Sequence, residues 1–284
     1  MELLFKEKVV SRLQDRYSAL RAAGKKAVVP YVVAGDPSVA GTVPLMHRLV
    51  AAGADIIELG VPFSDPMSEG PVIQLGHERA LANGVSLRQV LAMVREFREL
   101  DTTTPVVVMG YANPVERFGY AAFADACAES GVDGLITVDL PPEEVDSLNE
   151  QLKRVGLDNI FLISPTTPES RIATITSRAS GFIYYVAVKG VTGAGNLDVA
   201  DVTHHLNSIR AVSTLPVAVG FGIKDAASAA SVAEIADGVV VGSALIDTMA
   251  KALAAGESEN TAVDRAITLL KAIRIGVDKV ASAA

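Results

Sequence analysis

Residues 56–71 read IIELGVPFSDPMSEGP, an apolar run that ends in a loop rich in Gly and Pro. The run that begins at Ile56 predicts a short buried strand. The residues after it cannot continue a helix or a central strand, so they form a loop at the carboxyl end of that strand. The same order, a buried strand and then a loop, repeats along the chain.

This strand and its loop carry three acidic side chains. Glu58 falls inside the apolar run, where an unpaired ionised carboxylate is costly to desolvate. Asp65 and Glu69 lie on the loop. A carboxyl group on a rigid strand beside another on a loop suits proton transfer, so we expect acid–base chemistry here.

Apolar runs rich in Val, Ile and Leu recur through the sequence, with helical stretches between them. Many are continuous rather than alternating, as parallel strands covered on both faces are. The predicted strands are Ala27–Val33, Asp55–Leu59, Pro105–Gly110, Asp133–Val138, Asn159–Ile163, Gly181–Val188, Pro216–Gly220 and Gly238–Val241.

The stretches between these strands carry residues that begin and end helices. Ser38 and Asp225 are suited to cap helices, and Pro142 suits a first helical turn. Gly53 and Gly131 each precede a predicted strand and can end the preceding helix in a left-handed conformation. The chain therefore alternates strand and helix from residue 27 onward.

About eight such units in 284 residues, with no linker between them, predict an α/β fold of the (β/α)8 TIM-barrel type. A barrel of this size forms one domain, here residues 1–284. Residues 3–22 precede the first strand and carry an apolar stripe, which predicts an extra N-terminal helix. That helix could plug the amino-terminal end of the barrel, but we expect it to pack in the outer helix ring.

Composition and charge exclude several kinds of partner. The chain is 50% hydrophobic and 20% charged, which suits a large core. Its net charge of -8 argues against nucleic acid and anionic membrane surfaces as partners. The N-terminus has no apolar signal core and Cys127 is the only cysteine, so we expect a cytoplasmic protein in a reducing compartment.

Glycines follow the last two predicted strands, Gly220 and Gly222 after the seventh and Gly242 after the eighth. Barrel enzymes commonly seat a phosphate here, on backbone amides turned toward it. Glycine could also merely permit tight turns from strand to helix. Because the two groups lie in register on adjacent strands, we favour a phosphate bound by amides of Gly222, Gly242 and Ser243.

Five segments of the chain match those of one known family and occur in the same order. They are residues 58–66 (ELGVPFSDP), 111–114 (YANP), 190–194 (GVTGA), 220–223 (GFGI) and 242–244 (GSA). The chain thus resembles the alpha subunit of tryptophan synthase over nearly its whole length. The resemblance implies a lyase of tryptophan biosynthesis, which cleaves indole-3-glycerol phosphate to indole and glyceraldehyde 3-phosphate by a retro-aldol reaction.

The resemblance assigns catalytic roles to three residues. Glu58 would serve as general acid toward C3 of the indole ring and then as base toward the adjacent side-chain hydroxyl, with a pKa raised by its apolar surroundings. Glu69 matches a carboxylate that stabilises positive charge at the indole N–H; the family usually has the shorter Asp there. Tyr184 matches a position whose hydroxyl lies close to the catalytic glutamate, although a strand tyrosine is also ordinary core packing.

A further set of residues is expected to bind the substrate and its phosphate. Thr192 could order the acid-bearing loop as part of a lid, or simply bond its own backbone in a turn. An apolar pocket of indole size is expected from Tyr31, Ile73, Val108, Ile136, Val138 and Ile163, most of which could equally be core. The predicted substrate- and phosphate-binding residues are Tyr31, Thr192, Gly193, Phe221, Gly222, Gly242 and Ser243.

The resemblance also implies a partner, the beta subunit of the synthase, in an α2β2 heterotetramer. That subunit uses pyridoxal phosphate to join indole to serine, whereas this chain has no Gly-rich dinucleotide motif and is expected to need no organic cofactor. The isolated chain should have low activity, with partner binding ordering its loops. The residues expected to face the partner are Pro62, Asp65, Pro66, Asn113 and Pro141.

Two other functions remain compatible with parts of the sequence. A Schiff-base phosphosugar aldolase would use a strand-end lysine, and Lys189 follows the sixth predicted strand. A non-catalytic phosphosugar-binding regulatory subunit would have no need of Glu58 and Glu69. No metal site is expected, because the four histidines fall on predicted helices or their flanks.

Overall fold

Eight parallel strands close into a barrel in the computed structural model, which describes residues 11–187, 199–220 and 222–281. Each strand pairs with the next along the chain, and the last pairs with the first. The strands are β1 (Ala27–Val33), β2 (Ile57–Gly60), β3 (Val106–Gly110), β4 (Gly134–Thr137), β5 (Asp158–Ile163), β6 (Ile183–Val186), β7 (Val217–Gly220) and β8 (Gly238–Val241). The TIM-barrel prediction is confirmed.

Helices follow the strands and surround the barrel. Within residues 11–187, 199–220 and 222–281, no helix combines the length and apolar composition needed to cross a lipid bilayer. The helices are α1 (Arg12–Ala22), α2 (Val39–Ala51), α3 (Pro71–Ala82), α4 (Leu87–Arg98), α5 (Ala112–Phe118), α6 (Tyr120–Ser130), α7 (Asp146–Val155), α8 (Glu169–Arg178), α9 (Val199–Val212), α10 (Ala226–Ala233), α11 (Ser243–Ala254) and α12 (Glu259–Ala281).

Two of the three predicted helix starts are confirmed. Ser38 caps α2, with its hydroxyl accepting a hydrogen bond from the Gly41 N–H at 3.0 Å. Asp225 caps α10 in the same way, through the Ser228 N–H at 2.8 Å. The prediction for Pro142 is wrong, because α7 begins only at Asp146 and the proline lies in a turn before it.

The acids predicted to begin the second and fourth strands lie just before β2 and β4 instead. The Asp55 carboxylate accepts a hydrogen bond from the Val28 N–H at 2.9 Å, and Asp133 accepts one from the Val106 N–H at 2.7 Å. Each acid therefore satisfies a backbone donor of the neighbouring strand with its side chain, at the amino end of the barrel. Val188, predicted in the sixth strand, lies outside the described residues.

Apolar residues form two layers, one between the strands and the helices and one inside the barrel. Val29, Tyr31, Val107 and Ile136 belong to the inner layer. Successive strand residues point to opposite faces, and neighbours in register point to the same face. Glu58 pairs in register with both Tyr31 and Val107, so its side chain also points into the barrel.

Helix α1 closes the amino-terminal end of the barrel. Leu13 and Tyr17 belong to the inner layer, and the Tyr17 ring lies 5.7 Å from that of Phe182. Leu13 is also within 3.2 Å of the Cβ position of Gly134, the first residue of β4. The prediction that this helix packs in the outer ring is therefore wrong, because its apolar stripe covers the open end of the inner layer.

Candidate active site

Glu58 is buried at the centre of the candidate site, with 2% of its surface exposed. Its Oε1 atom has no hydrogen-bond partner among the described residues. Burial, with a smaller contribution from the nearby Glu69 carboxylate, raises the pKa of Glu58 to about 8. A buried carboxyl group with this pKa holds its proton near neutral pH, as the apolar run around it predicts.

Glu69 faces the same cavity from the loop between β2 and α3. The Gln74 side-chain amide donates to the Glu69 carbonyl oxygen at 2.9 Å, and the Ser68 N–H donates to the Tyr111 hydroxyl at 3.2 Å. Burial raises the pKa of Glu69 to about 7. The structure therefore brings the strand acid and the loop acid into one cavity.

Two tyrosines line this cavity beside the acids. A Cβ on Gly60 would overlap the Tyr31 hydroxyl, and a Cβ on Gly220 would overlap the Tyr184 hydroxyl. Glycine at these two strand ends therefore makes room for the phenol groups. Burial raises the pKa of both tyrosines well above the usual value; the next cause is Glu69 for Tyr31 and Glu58 for Tyr184.

The cavity has a volume of about 800 Å³ and lies at the carboxyl ends of the strands. Gly222, Gly242 and Ser243 line one side of it, as predicted for a phosphate site. Gly222 has a φ of 63°, in the left-handed region that favours glycine. Ser243 begins α11, whose first backbone N–H groups have no partner within the helix. Lys224, which the sequence reasoning missed, adds a cation to this wall.

Three residues predicted to bind substrate or phosphate, Thr192, Gly193 and Phe221, lie outside the described residues. The same is true of Lys189, on which the Schiff-base alternative depends.

The apolar wall of the cavity differs in part from the predicted one. Tyr31 and Ile73 line it, but Val108 and Ile163 belong to the layer between strands and helices. The register explains the error, because Glu58 pairs with Val107 and the next residue must face outward. The apolar side chains that the prediction missed are Val72, Met109, Val186, Ile223, Val240, Ala244 and Leu269.

The residues expected to face a partner follow strands β2, β3 and β4, on the face of the barrel that carries the cavity. Asp65 and Asn113 are exposed, whereas Pro62 and Pro66 are buried in the loop after β2. Pro141 is half-buried and lines a second cavity, of about 470 Å³, above β4 and β5.

Within the three described ranges, no group of three or more His, Cys, Asp or Glu side chains is placed to hold a metal ion. A closed βα barrel with two acids of raised pKa in one cavity, beside glycine-lined strand ends, is the arrangement of a barrel enzyme suited to acid–base chemistry.

Comparison with known proteins gives a consistent result. Residues 17–274 match the family model of the tryptophan synthase alpha chain. The alpha chain of Thioalkalivibrio sulfidiphilus is 62% identical over 242 residues, covering 85% of this chain and 91% of that one. The alpha chain of Marinobacter nauticus is 53% identical over 273 residues, covering 96% and 100%. The crystal structure of tryptophan synthase subunit alpha from Legionella pneumophila superposes with a TM-score of 0.88 at 45% identity, covering 95% of this chain and 100% of that one.

The chain therefore belongs to the tryptophan synthase alpha chain family. It is a carbon–carbon lyase of tryptophan biosynthesis, with the activity that the resemblance predicted, the cleavage of indole-3-glycerol phosphate. All five segments that carried the resemblance fall within the matched residues.

Proposed function

We propose that Glu58 is the general acid and general base of this cleavage. The observation that carries the proposal is its burial in the barrel mouth, with a pKa near 8, facing the same cavity as Glu69. Protonated Glu58 gives its proton to C3 of the indole ring. The resulting carboxylate then takes the proton of the adjacent side-chain hydroxyl. The carbon–carbon bond breaks as the aldehyde forms, and its electron pair restores the aromatic ring.

Glu69 is the carboxylate that accepts a hydrogen bond from the ring N–H. Positive charge develops on that nitrogen when C3 is protonated, so an ionised acceptor there lowers the barrier. Two carboxyl groups in one buried cavity do not readily ionise together. With pKa values of about 7 for Glu69 and about 8 for Glu58, the pair favours an ionised Glu69 and a protonated Glu58 between these values. The proposed reaction needs these two protonation states.

The phosphate of the substrate binds at the glycine-lined wall. The amides of Gly242 and Ser243 lie where α11 begins, that of Gly222 follows β7, and Lys224 adds a positive charge. Thr192, Gly193 and Phe221 complete the substrate site in this proposal, and Tyr184 lies beside Glu58. An acidic chain can thus hold an anionic substrate through local donors.

The assembly we propose is the α2β2 heterotetramer, with pyridoxal phosphate in the beta subunit and no organic cofactor in this chain. Support comes from the exposed Asp65 and Asn113, which lie after β2 and at the start of α5, on the face of the barrel that carries the cavity. We also propose that residues 1–284 form one domain. The protein works in the cytoplasm in this proposal.

The test is indole release by the complex of this chain with its beta subunit. Glu58→Gln keeps the shape of the side chain but cannot give and take a proton, so cleavage should be abolished while inorganic phosphate still binds. Glu150→Gln, an exposed residue of α7, is the matched control and should keep full activity. Comparable turnover by Glu58→Gln would place the catalytic acid elsewhere.

The same assay separates the two other functions. A non-catalytic regulatory subunit would add no indole release to that of the beta subunit alone. A Schiff-base aldolase would be trapped on Lys189 by borohydride in the presence of substrate, whereas the acid–base mechanism leaves no covalent adduct.

A further inference from the structure

His77 is a buried histidine that the proposed mechanism does not use. It lies on α3, with 2% of its surface exposed. The backbone N–H of Phe63 donates to its Nδ1 at 3.0 Å, and its Nε2 lies 3.2 Å from the Tyr31 hydroxyl oxygen. Since Nδ1 accepts a backbone N–H, the neutral ring carries its proton on Nε2. Burial lowers the pKa of His77 to about 4, so the ring is neutral at the pH of catalysis.

The tautomer of His77 determines what the Tyr31 hydroxyl can do. Because Nε2–H donates to the phenol oxygen, the hydrogen of Tyr31 is left for another acceptor. Among the described residues Tyr31 makes no second side-chain hydrogen bond. It is 4% exposed and lines the cavity, with its hydroxyl over Gly60, two residues after Glu58 on the same face of β2. Tyr31 therefore presents a donor to the cavity.

Glu69 is the acceptor that suits this donor. Its carboxylate accepts no hydrogen bond from the described residues, although its backbone is held by Gln74. Tyr31 and Glu69 line the same cavity, and after burial the Glu69 carboxylate is the largest cause of the raised pKa of Tyr31, ahead of Glu58. A glutamate side chain has one more rotatable bond than an aspartate, so a fixed donor to its carboxylate would limit the conformations that it can adopt.

We propose that His77 and Tyr31 form a relay that positions the carboxylate of Glu69 for the ring nitrogen of the substrate. His77 donates to Tyr31, Tyr31 donates to one oxygen of Glu69, and the other oxygen accepts from the indole N–H. The relay rests on the proposed role of Glu69. His77 and Tyr31 act through that acid, so both are positioning residues.

Several other titratable groups face the cavity from the elements around Glu69. They are Glu58 on β2, Tyr184 on β6, Lys224 after β7 and Asp247 on α11. None of them is altered in the relay variants, so a changed pH profile reports the loss of the donor to Glu69.

The variants Tyr31→Phe and His77→Asn test the relay in the complex with the beta subunit. Tyr31→Phe removes only the hydroxyl. His77→Asn keeps an acceptor for the Phe63 N–H but is too short to reach Tyr31. Each should lower kcat for indole release about tenfold, the effect of losing one hydrogen bond to a charged group. KM should change by less than about twofold, and binding of inorganic phosphate should not change, because Tyr31→Phe keeps the ring that packs against Gly242 and both variants leave the phosphate donors in place.

Two further readouts separate positioning from a merely structural role. A carboxylate that loses a donor holds its proton more tightly, so the acidic limb of the kcat/KM profile should move up by about half a pH unit. The double variant should be no slower than either single variant, because both break one chain of contacts. His77→Gln, whose amide can reach Tyr31, should restore part of kcat.

Tyr185→Phe is the matched control, because it removes a buried hydroxyl of the same strand as Tyr184 that faces the outer layer. It should keep the kcat and pH profile of the unaltered protein. The relay is overturned if Tyr31→Phe also keeps both, or if the effects of Tyr31→Phe and His77→Asn simply add. An unaltered complex that releases no indole, or an active Glu58→Gln, would instead overturn the proposed function.

Discussion

At the scale of single residues, the site depends on two carboxyl groups that share one cavity. Burial raises the pKa of both, and the strand acid rises further than the loop acid. The difference lets one carboxyl carry a proton while the other carries a charge. In the proposed mechanism, environment therefore gives Glu58 and Glu69 different roles although they are the same kind of side chain.

The raised pKa of Glu58 predicts a pH-dependent stability. Its folded pKa is about 8 and its ordinary value is 4.5, so between these values the folded chain holds a proton that the unfolded chain has released. The contribution of the protonated group is therefore present below pH 4.5 and lost as the pH rises through 8. Glu58→Gln does not titrate, so its melting temperature should exceed that of the unaltered protein by a margin that grows from pH 5 to pH 8. Glu150→Gln, at an exposed position, serves as the control. A difference for Glu58→Gln that stays constant with pH would contradict the assignment.

The length of Glu69 gives a second prediction at this scale. Glu69→Asp keeps the charge but withdraws the carboxylate by one methylene from the ring nitrogen and from Tyr31. Since a misplacement of about 1 Å can cost on the order of a hundredfold in rate, kcat for indole release should fall at least tenfold. Steady-state assays of the complex measure this, with KM as the internal control. An unchanged kcat would mean that the loop places either acid equally well.

At the scale of elements, the two ends of the barrel have different roles. Helix α1 and the acids before the strands close the amino end, whereas the cavity and its loops occupy the carboxyl end. Residues that stabilise the fold are thereby separated from residues that do chemistry, as is usual for this fold.

This separation predicts that a change in the plug affects stability alone. Leu13 is fully buried at the amino end, so Leu13→Ala should lower the free energy of unfolding by about 3 kcal/mol. Urea unfolding measures the loss, and kcat should stay within about twofold of the original value. Leu100→Ala, at an exposed position, serves as the control. A large fall in kcat at equal concentrations of folded protein would show that α1 also shapes the site.

The elements themselves were largely predictable, because continuous Val, Ile and Leu runs mark strands covered on both sides. The ends of the strands were less predictable. Asp55 and Asp133 adjoin the apolar runs, but they lie just before the strands and accept hydrogen bonds from backbone N–H groups with their side chains. The position of α1 could not be predicted, since the same apolar stripe suits a plug or an outer helix. Val108 was wrongly predicted to line the cavity. The pairing of Val107 with Glu58 decides which side chains of β3 point into the barrel, and Val108 points the other way.

At the scale of the whole molecule, the sequence located the parts of the site that lie in continuous motifs. Glu58 and Glu69 are eleven residues apart in one segment, so a strand followed by a loop was enough to bring them together. The contact between Tyr31 and His77 joins residues 46 positions apart and exists only because α3 packs against β1. No pattern of neighbouring residues in the sequence predicts such a pair. The packing of α3 on the barrel creates it.

The most direct test of the account is a carbon-13 NMR titration of the Glu58 carboxyl group, assigned through the signal that disappears in Glu58→Gln. Burial in the barrel mouth predicts a midpoint near pH 8. A midpoint near 4.5, the ordinary value for glutamate, would mean that Glu58 is ionised at neutral pH and cannot be the acid that protonates the indole ring.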